Sequence, residues 1–239
     1  MHYASQLYPC LMFIDPKSIV IYMTIMRYLM KLALILFFTS STIFASGKVL
    51  HLKGKALING NNLTRSSVIE QNDIISTKEN SLVLLKLSSG ATIKIAQNSS
   101  LKIAVYKPKS NQTLIHLLKG SSFFKKDPQV KGKLNVKTRV ASMGVRGTQF
   151  FVSYGKDKKD DVFMCVNKGS VWVSSDKKKA IIVNEGEGVN INSKRKISRP
   201  KFLPWTKNLN WSLNPSAKNL ENDAKIQEKY GDPLTQDYD

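Results

Sequence analysis

From Val49 to about Ile191 the chain repeats one local theme: a short β-branched or aromatic run, a turn rich in glycine, asparagine or lysine, then another run. Such punctuation implies many short strands. Leu82-Val83-Leu84-Leu85-Lys86-Leu87 leads into Ser88-Ser89-Gly90, and Ala91-Thr92-Ile93-Lys94-Ile95 resumes with apolar and polar positions alternating, the pattern of a hairpin with a glycine-bearing turn. Leu101-Lys102-Ile103-Ala104-Val105 continues the period of two. Phe150 to Tyr154 and Val162 to Val166 flank Gly155 to Asp161, a charged stretch that fits an exposed hairpin loop. Two carboxylates among its lysines are too few oxygen ligands for calcium.

Lys119-Gly120-Ser121 and Lys168-Gly169-Ser170 each place Lys-Gly-Ser before an apolar run, an echo that fits equivalent turns but does not establish a repeat. No helix of usable length is expected in the strand-rich region. Beyond residue 196 alternation stops, and Pro200, Pro204 and Pro215 punctuate a segment carrying Trp205 and Trp211. Indoles so placed suit a strap packed over the β core, with ligand binding as the alternative. Asn214-Pro215 and Gly231 mark the ends of a C-terminal helix from about Pro215 to Tyr230. The fold class is therefore all-β: many short antiparallel strands in a sandwich or β-solenoid-like stack, with a short C-terminal helical tail.

Ahead of this region, Arg27 and Lys31 flank the apolar core Leu32 to Phe38, which gives way to Thr39-Ser40-Ser41-Thr42 and Ala45. A charged start, a short apolar middle and a small-residue exit are the marks of a secretory signal peptide. The apolar core is too short to span a bilayer. Residues 23–45 are expected to be the signal, cleaved after Ala45, with residues 1–22 a mis-assigned N-terminal extension. The expected location is the periplasm or cell envelope.

A formal net charge of +20 makes anionic partners attractive. The cations are mostly lysine, whereas base readout favours the planar fork of arginine, so nucleic acid is not expected as a partner. With Cys10 in the segment expected to be lost, Cys165 would be alone, and its apolar run Val162 to Val166 marks it as a small core residue. His51 and His116 are too few for a metal site, and no Gly-x-Ser-x-Gly elbow is present. Glu70, Asp73, Glu79, Glu185 and Glu187 fall in turn-like stretches and are expected to be solvated. No catalytic residue, metal or cofactor is expected.

The most informative stretch is Val140-Ala141-Ser142-Met143-Gly144-Val145-Arg146-Gly147-Thr148-Gln149-Phe150, which resembles the Gly-Val-Arg-Gly-Thr-x-Phe signature of FecR-type domains. Gly54-Lys55-Ala56, Asp73-Ile74-Ile75-Ser76-Thr77, Ser88-Ser89-Gly90-Ala91, Val166 to Val171 and Asn184 to Gly188 look like that family's other turns, in its order, over about residues 49–191. Asn72 and Ser89 depart from the glycine and aspartate usual there. Gly144 and Gly147 suit a tight backbone turn, and Thr148 starts a strand. Arg146 would clamp backbone carbonyls internally, or else meet a carboxylate from outside.

The resemblance implies an envelope sensory or binding domain, here residues 46–196 followed by a proline- and tryptophan-marked tail at 197–239. Family members that act as anti-sigma regulators carry a cytoplasmic helical domain before a membrane span. About 25 residues precede the apolar segment here, so a sigma-factor role is not expected. The expected partner is an envelope component, whether protein, peptidoglycan or anionic polymer, with membrane contact only through an uncleaved signal segment. A membrane-tethered signalling component and an enzyme acting on cell-wall polymer are the alternatives.

Overall fold

A computed structural model describes residues 16–38, 46–110, 112–145, 147–155, 161–175, 180–209, 211–214 and 216. Residues Pro16–Phe38 form an α-helix, α1, in a compact unit of its own. It runs through both the extension and the apolar core set apart in the sequence, and its length is interrupted by Lys17, Arg27 and Lys31. No helix among the described residues is long and apolar enough to cross a membrane. The helix expected at Pro215 to Tyr230 lies outside the described residues, apart from Ser216.

Among the described residues the second unit is built of β-strands, apart from two short 3-10 segments. Its strands in order are β1 (Gly47–Lys53), β2 (Ala56–Ile58), β3 (Asn61–Asn62), β4 (Val68–Ile69), β5 (Ile74–Thr77), β6 (Leu82–Leu87), β7 (Ala91–Ile95), β8 (Ser100–Lys107) and β9 (Gln112–Lys126). There follow β10 (Leu134–Lys137), β11 (Ser142–Val145), β12 (Gln149–Tyr154), β13 (Val162–Lys168), β14 (Ser170–Ser174), β15 (Ile181–Asn184), β16 (Glu187–Ile191) and β17 (Lys201–Phe202). All join one large, open, mixed sheet that doubles over on itself.

The fold line is β9. Its C-terminal half pairs with β7 and β12, while its N-terminal half pairs with β8 and β10. The first leaf runs β4-β1-β6-β7-β9-β12-β13-β16-β17. The second runs β3-β2-β5-β8-β9-β10-β11-β14-β15. Between them lies a single apolar core that takes Leu85, Ile93, Phe124, Phe150 and Met164 from the first leaf and Ile75, Ile103, Ile115, Val136 and Val173 from the second. Phe124 and Phe150 stack there at 5.1 Å.

The chain reaches this arrangement by switching leaves at corners. Gly120, within β9, has φ +85°, and an added Cβ would lie 2.6 Å from the Ser99 Cα, so only glycine fits. Gly169, between β13 and β14, has φ +83° and makes the reverse switch. The echoed Lys-Gly-Ser tripeptides therefore mark two leaf-switching corners. Hydroxyls knit successive corners: Ser99 Oγ donates to the Ser121 carbonyl and accepts from the Ser121 N–H, and Ser121 Oγ bonds Ser153 Oγ at 2.9 Å.

Two features differ from the expected short antiparallel strands. β9 has fifteen residues because it belongs to both leaves. β10 runs parallel to β9, since the connection after Lys126 crosses from the first leaf to the second and re-enters in the same direction.

Burial shows how the leaves differ. In β8, β9 before Gly120, β10, β11 and β14, buried and partly or fully exposed positions alternate, as expected for strands with one wet face. In β7, β12 and β13 burial is nearly continuous. There the outward Phe123, Phe151, Phe163 and Cys165 are covered by Leu203, Leu209, Trp211 and Leu213.

Gly60 has φ +86° but nothing within 4 Å of an added Cβ. Gly60→Ala is expected to cost about 1 kcal/mol, and Gly120→Ala at least about 2 kcal/mol more because Ser99 backbone blocks the methyl. Urea unfolding of both variants reads the difference; equal costs would contradict the corner's role.

Candidate functional site

The glycine-bracketed stretch after β11 is the first candidate. Gly144 occupies an outward position on the second leaf, and Val145 points into the core with 4 % exposure. Arg146 lies outside the described residues, so neither role expected for it is resolved. Gly147 turns the chain at φ +67°, and a Cβ there would come 2.8 Å from Pro128 Cβ. Thr148 is buried, its carbonyl accepts the Lys126 N–H at 2.9 Å, and its methyl is the atom an added Cβ on Gly169 would strike. The stretch is thus a leaf-switching corner packed between Pro128 and the corner at Gly169.

A carbonyl clamp stands close by, on a residue that sequence reasoning missed. Lys126 is 2 % exposed, and its Nζ donates to the carbonyls of Ser89 at 2.8 Å and Val130 at 2.7 Å. Burial lowers its pKa, an effect that neighbouring Asp127 opposes and Lys86 reinforces. The ammonium ties the turn at Ser88 to Gly90 to the crossing after β9. No pattern in the sequence separates this lysine from the many solvated ones.

Residues 73–187 match the family model described as FecR protein. The chain contains a FecR domain. Among curated proteins nothing matches. Two crystal structures of a provisionally assigned anti-sigma factor from Parabacteroides distasonis match, each at TM-score 0.46 and 21 % identity, over 54 % of this chain and 59 % of that one. The chain thus spans less than two thirds of that protein's length.

The other expected residues are dispersed, and Trp205 and Trp211 lie beyond the matched range. Trp211 is partly buried on the outer side of the first leaf, where its ring meets Phe123 edge-on at 5.3 Å and its Nε1 donates to the Thr206 carbonyl at 2.6 Å. Gln149 Nε2 donates to the Trp211 carbonyl, which fixes the covering segment to β12. Trp205 falls in a short 3-10 helix, Pro204–Asn208, and its side chain lies outside the described set. Burial pushes the Cys165 thiol well above its ordinary pKa, against a smaller lowering by the Thr206 hydroxyl, which removes it from thiolate chemistry.

Asp73 departs from the solvated state expected of the acidic turn residues. It is 8 % exposed, and its carboxylate accepts the Glu70 N–H and the Asn59 amide, each at 2.7 Å. The carboxylate closes the turn that Asn72 makes at φ +74°, so its burial is compensated by hydrogen bonds. No group of three or more histidine, cysteine, aspartate or glutamate side chains is placed to hold a metal among the described residues.

The outward face of the second leaf carries the most distinctive chemistry. Register places Leu114, Asn135, Gly144, Trp172 and Ile182 side by side on β9, β10, β11, β14 and β15. The adjacent row is Lys102, His116, Lys137, Ser142 and Ser174. Trp172 is 47 % exposed and Ile182 49 %. Trp172 was legible in principle, since the alternation of Val171-Trp172-Val173 sends the indole away from the face that buries both valines.

His116, between two lysines, has its pKa lowered from 6.5 by burial first, then by Lys137 and Lys102. The folded protein keeps this imidazole neutral in a range where the unfolded chain protonates it. Its contribution is therefore complete above about pH 6.5 and is lost as pH falls through that value towards the lower folded pKa. His116→Gln is expected to lose less stability than the parent between pH 7 and pH 5 in urea titrations. An unchanged acid slope would contradict this.

Proposed function

We propose that the chain is an exported cell-envelope FecR-domain protein that acts as a non-catalytic binding or sensory module. The observation that carries this reading is the family match over residues 73–187, on a fold whose second leaf leaves a broad side-chain face open to solvent. Open sheet faces suit contact with large partners, whereas small-molecule chemistry favours enclosed clefts. Export follows from Arg27, Lys31, the apolar core beyond them and the small-residue exit at Ala45.

The test is fractionation of the native host, with intact mass and N-terminal sequencing of the recovered protein, followed by incubation with purified envelope. The expected species begins at Ser46, sits in the envelope fraction and releases no soluble fragments from cell-wall material. An uncleaved membrane species would replace this reading with the tethered signalling component. Cytoplasmic recovery, or release of wall fragments, would overturn it.

A further inference from the structure

We propose that the outward face of the second leaf binds an anionic polysaccharide, with Trp172 stacking on a sugar ring beside Gly144 and Lys102 and Lys137 pairing with the polymer's acidic groups. This rests on the reading of the chain as a binding module and names the chemistry that the module recognises.

Three observations carry it. The first is charge: β8, β9 before Gly120, β10, β11, β14 and β15 contain no aspartate or glutamate at all, so nothing on these strands opposes the lysines. An acidic ligand is favoured where Lys102 and Lys137 lie. The second is shape. Trp172 lies between Gly144 and Ile182 in the cross-strand row, no side chain rises from 144, where the Asn135 amide oxygen lies 3.2 Å from the place a Cβ would take, and the indole stays 47 % exposed. A half-exposed indole beside an amide offers a flat apolar ring to a partner that also carries hydroxyls.

The third is spacing. Five adjacent strands span about 19 Å, and the apolar row and the basic row are about 7 Å apart along them. A polymer lying across the strands would place its rings over Asn135, Gly144 and Trp172 and its acidic groups over the lysines. An acidic peptide fits less well. Extended peptides add to a sheet edge through main-chain hydrogen bonds, whereas on this face the backbone groups are already used in the ladders. Here only side chains can make the contacts, and the amide of Asn135 and the hydroxyls of Ser142 and Ser174 match the hydroxyl-rich rim of a sugar.

The experiment is titration of the full chain, as recovered from cells, with polygalacturonate, with dextran, polyglutamate and an oligothymidylate as comparators. Polygalacturonate is expected to bind at least tenfold more tightly than any comparator, with affinity falling as salt rises. Trp172→Ala is expected to weaken it at least tenfold, and Lys102→Ser with Lys137→Ser to do the same at low ionic strength. Ile182→Glu, which adds a repelling charge at an exposed position, should weaken it at least fivefold, and thermal melting confirms that each variant is folded.

Unchanged binding by Trp172→Ala or Ile182→Glu would overturn the proposal. So would equal binding of polyglutamate or oligothymidylate, which would assign the face to an acidic peptide or a nucleic acid. Location and processing in the host are separate readouts: an exported, non-catalytic protein whose Trp172→Ala variant binds normally defeats this inference alone. A cytoplasmic protein defeats the reading beneath it.

Discussion

One strand belongs to both leaves of the folded sheet. The hydrogen bonds that β9 makes before Gly120 hold β8 and β10, and those it makes afterwards hold β7 and β12, so neither leaf closes without the other. The change of leaf requires a residue that tolerates φ +85° and has no Cβ to meet Ser99, and Gly120 is that residue. The core then fills from both sides, and most other corners use glycine or asparagine at positive φ where the chain turns from one leaf to the other, the passage from β3 to β4 through Leu63 to Ser67 being an exception.

Much of this architecture could be seen in the residues themselves. The β6–β7 and β12–β13 hairpins fall where the apolar runs and their glycine-bearing turns placed them. The two Lys-Gly-Ser echoes do sit at corresponding structural positions, although what they share is a change of leaf, which no local pattern specifies. β9 itself records the switch: Gln112 to Leu118 alternates, and Ser121 to Phe124 is buried without a break. Its meaning needs the partner strands, because continuous burial demands a second cover, and that cover comes from Leu203, Leu209 and Trp211, far along the chain.

The functional residues were less legible for a physical reason. Gly147 and Thr148 owe their pattern to a packed corner, where backbone conformation and contact with Pro128 and Gly169 restrict the residue type, whereas Gly144, expected in the same turn, lies within β11 without a positive φ. Lys126 and Asp73 are ordinary charged letters whose burial is set by neighbours remote in sequence. The face around Trp172 exists only because five strands from different parts of the chain come into register, so its two rows are a property of topology. The two leaves therefore differ in what they can do: the first is covered around Phe123, Phe151 and Phe163 by the chain's own later segment, while the second presents an indole and the pair Lys102 and Lys137.

That difference is measured most directly by hydroxyl-radical footprinting of the full chain in solution, read residue by residue by mass spectrometry. The account predicts fast oxidation at Trp172 and Ile182 and strong protection at Phe151 and Phe163. Protection of Trp172 comparable to that of Phe151 would contradict it, since the face assigned to partner binding would then already be covered.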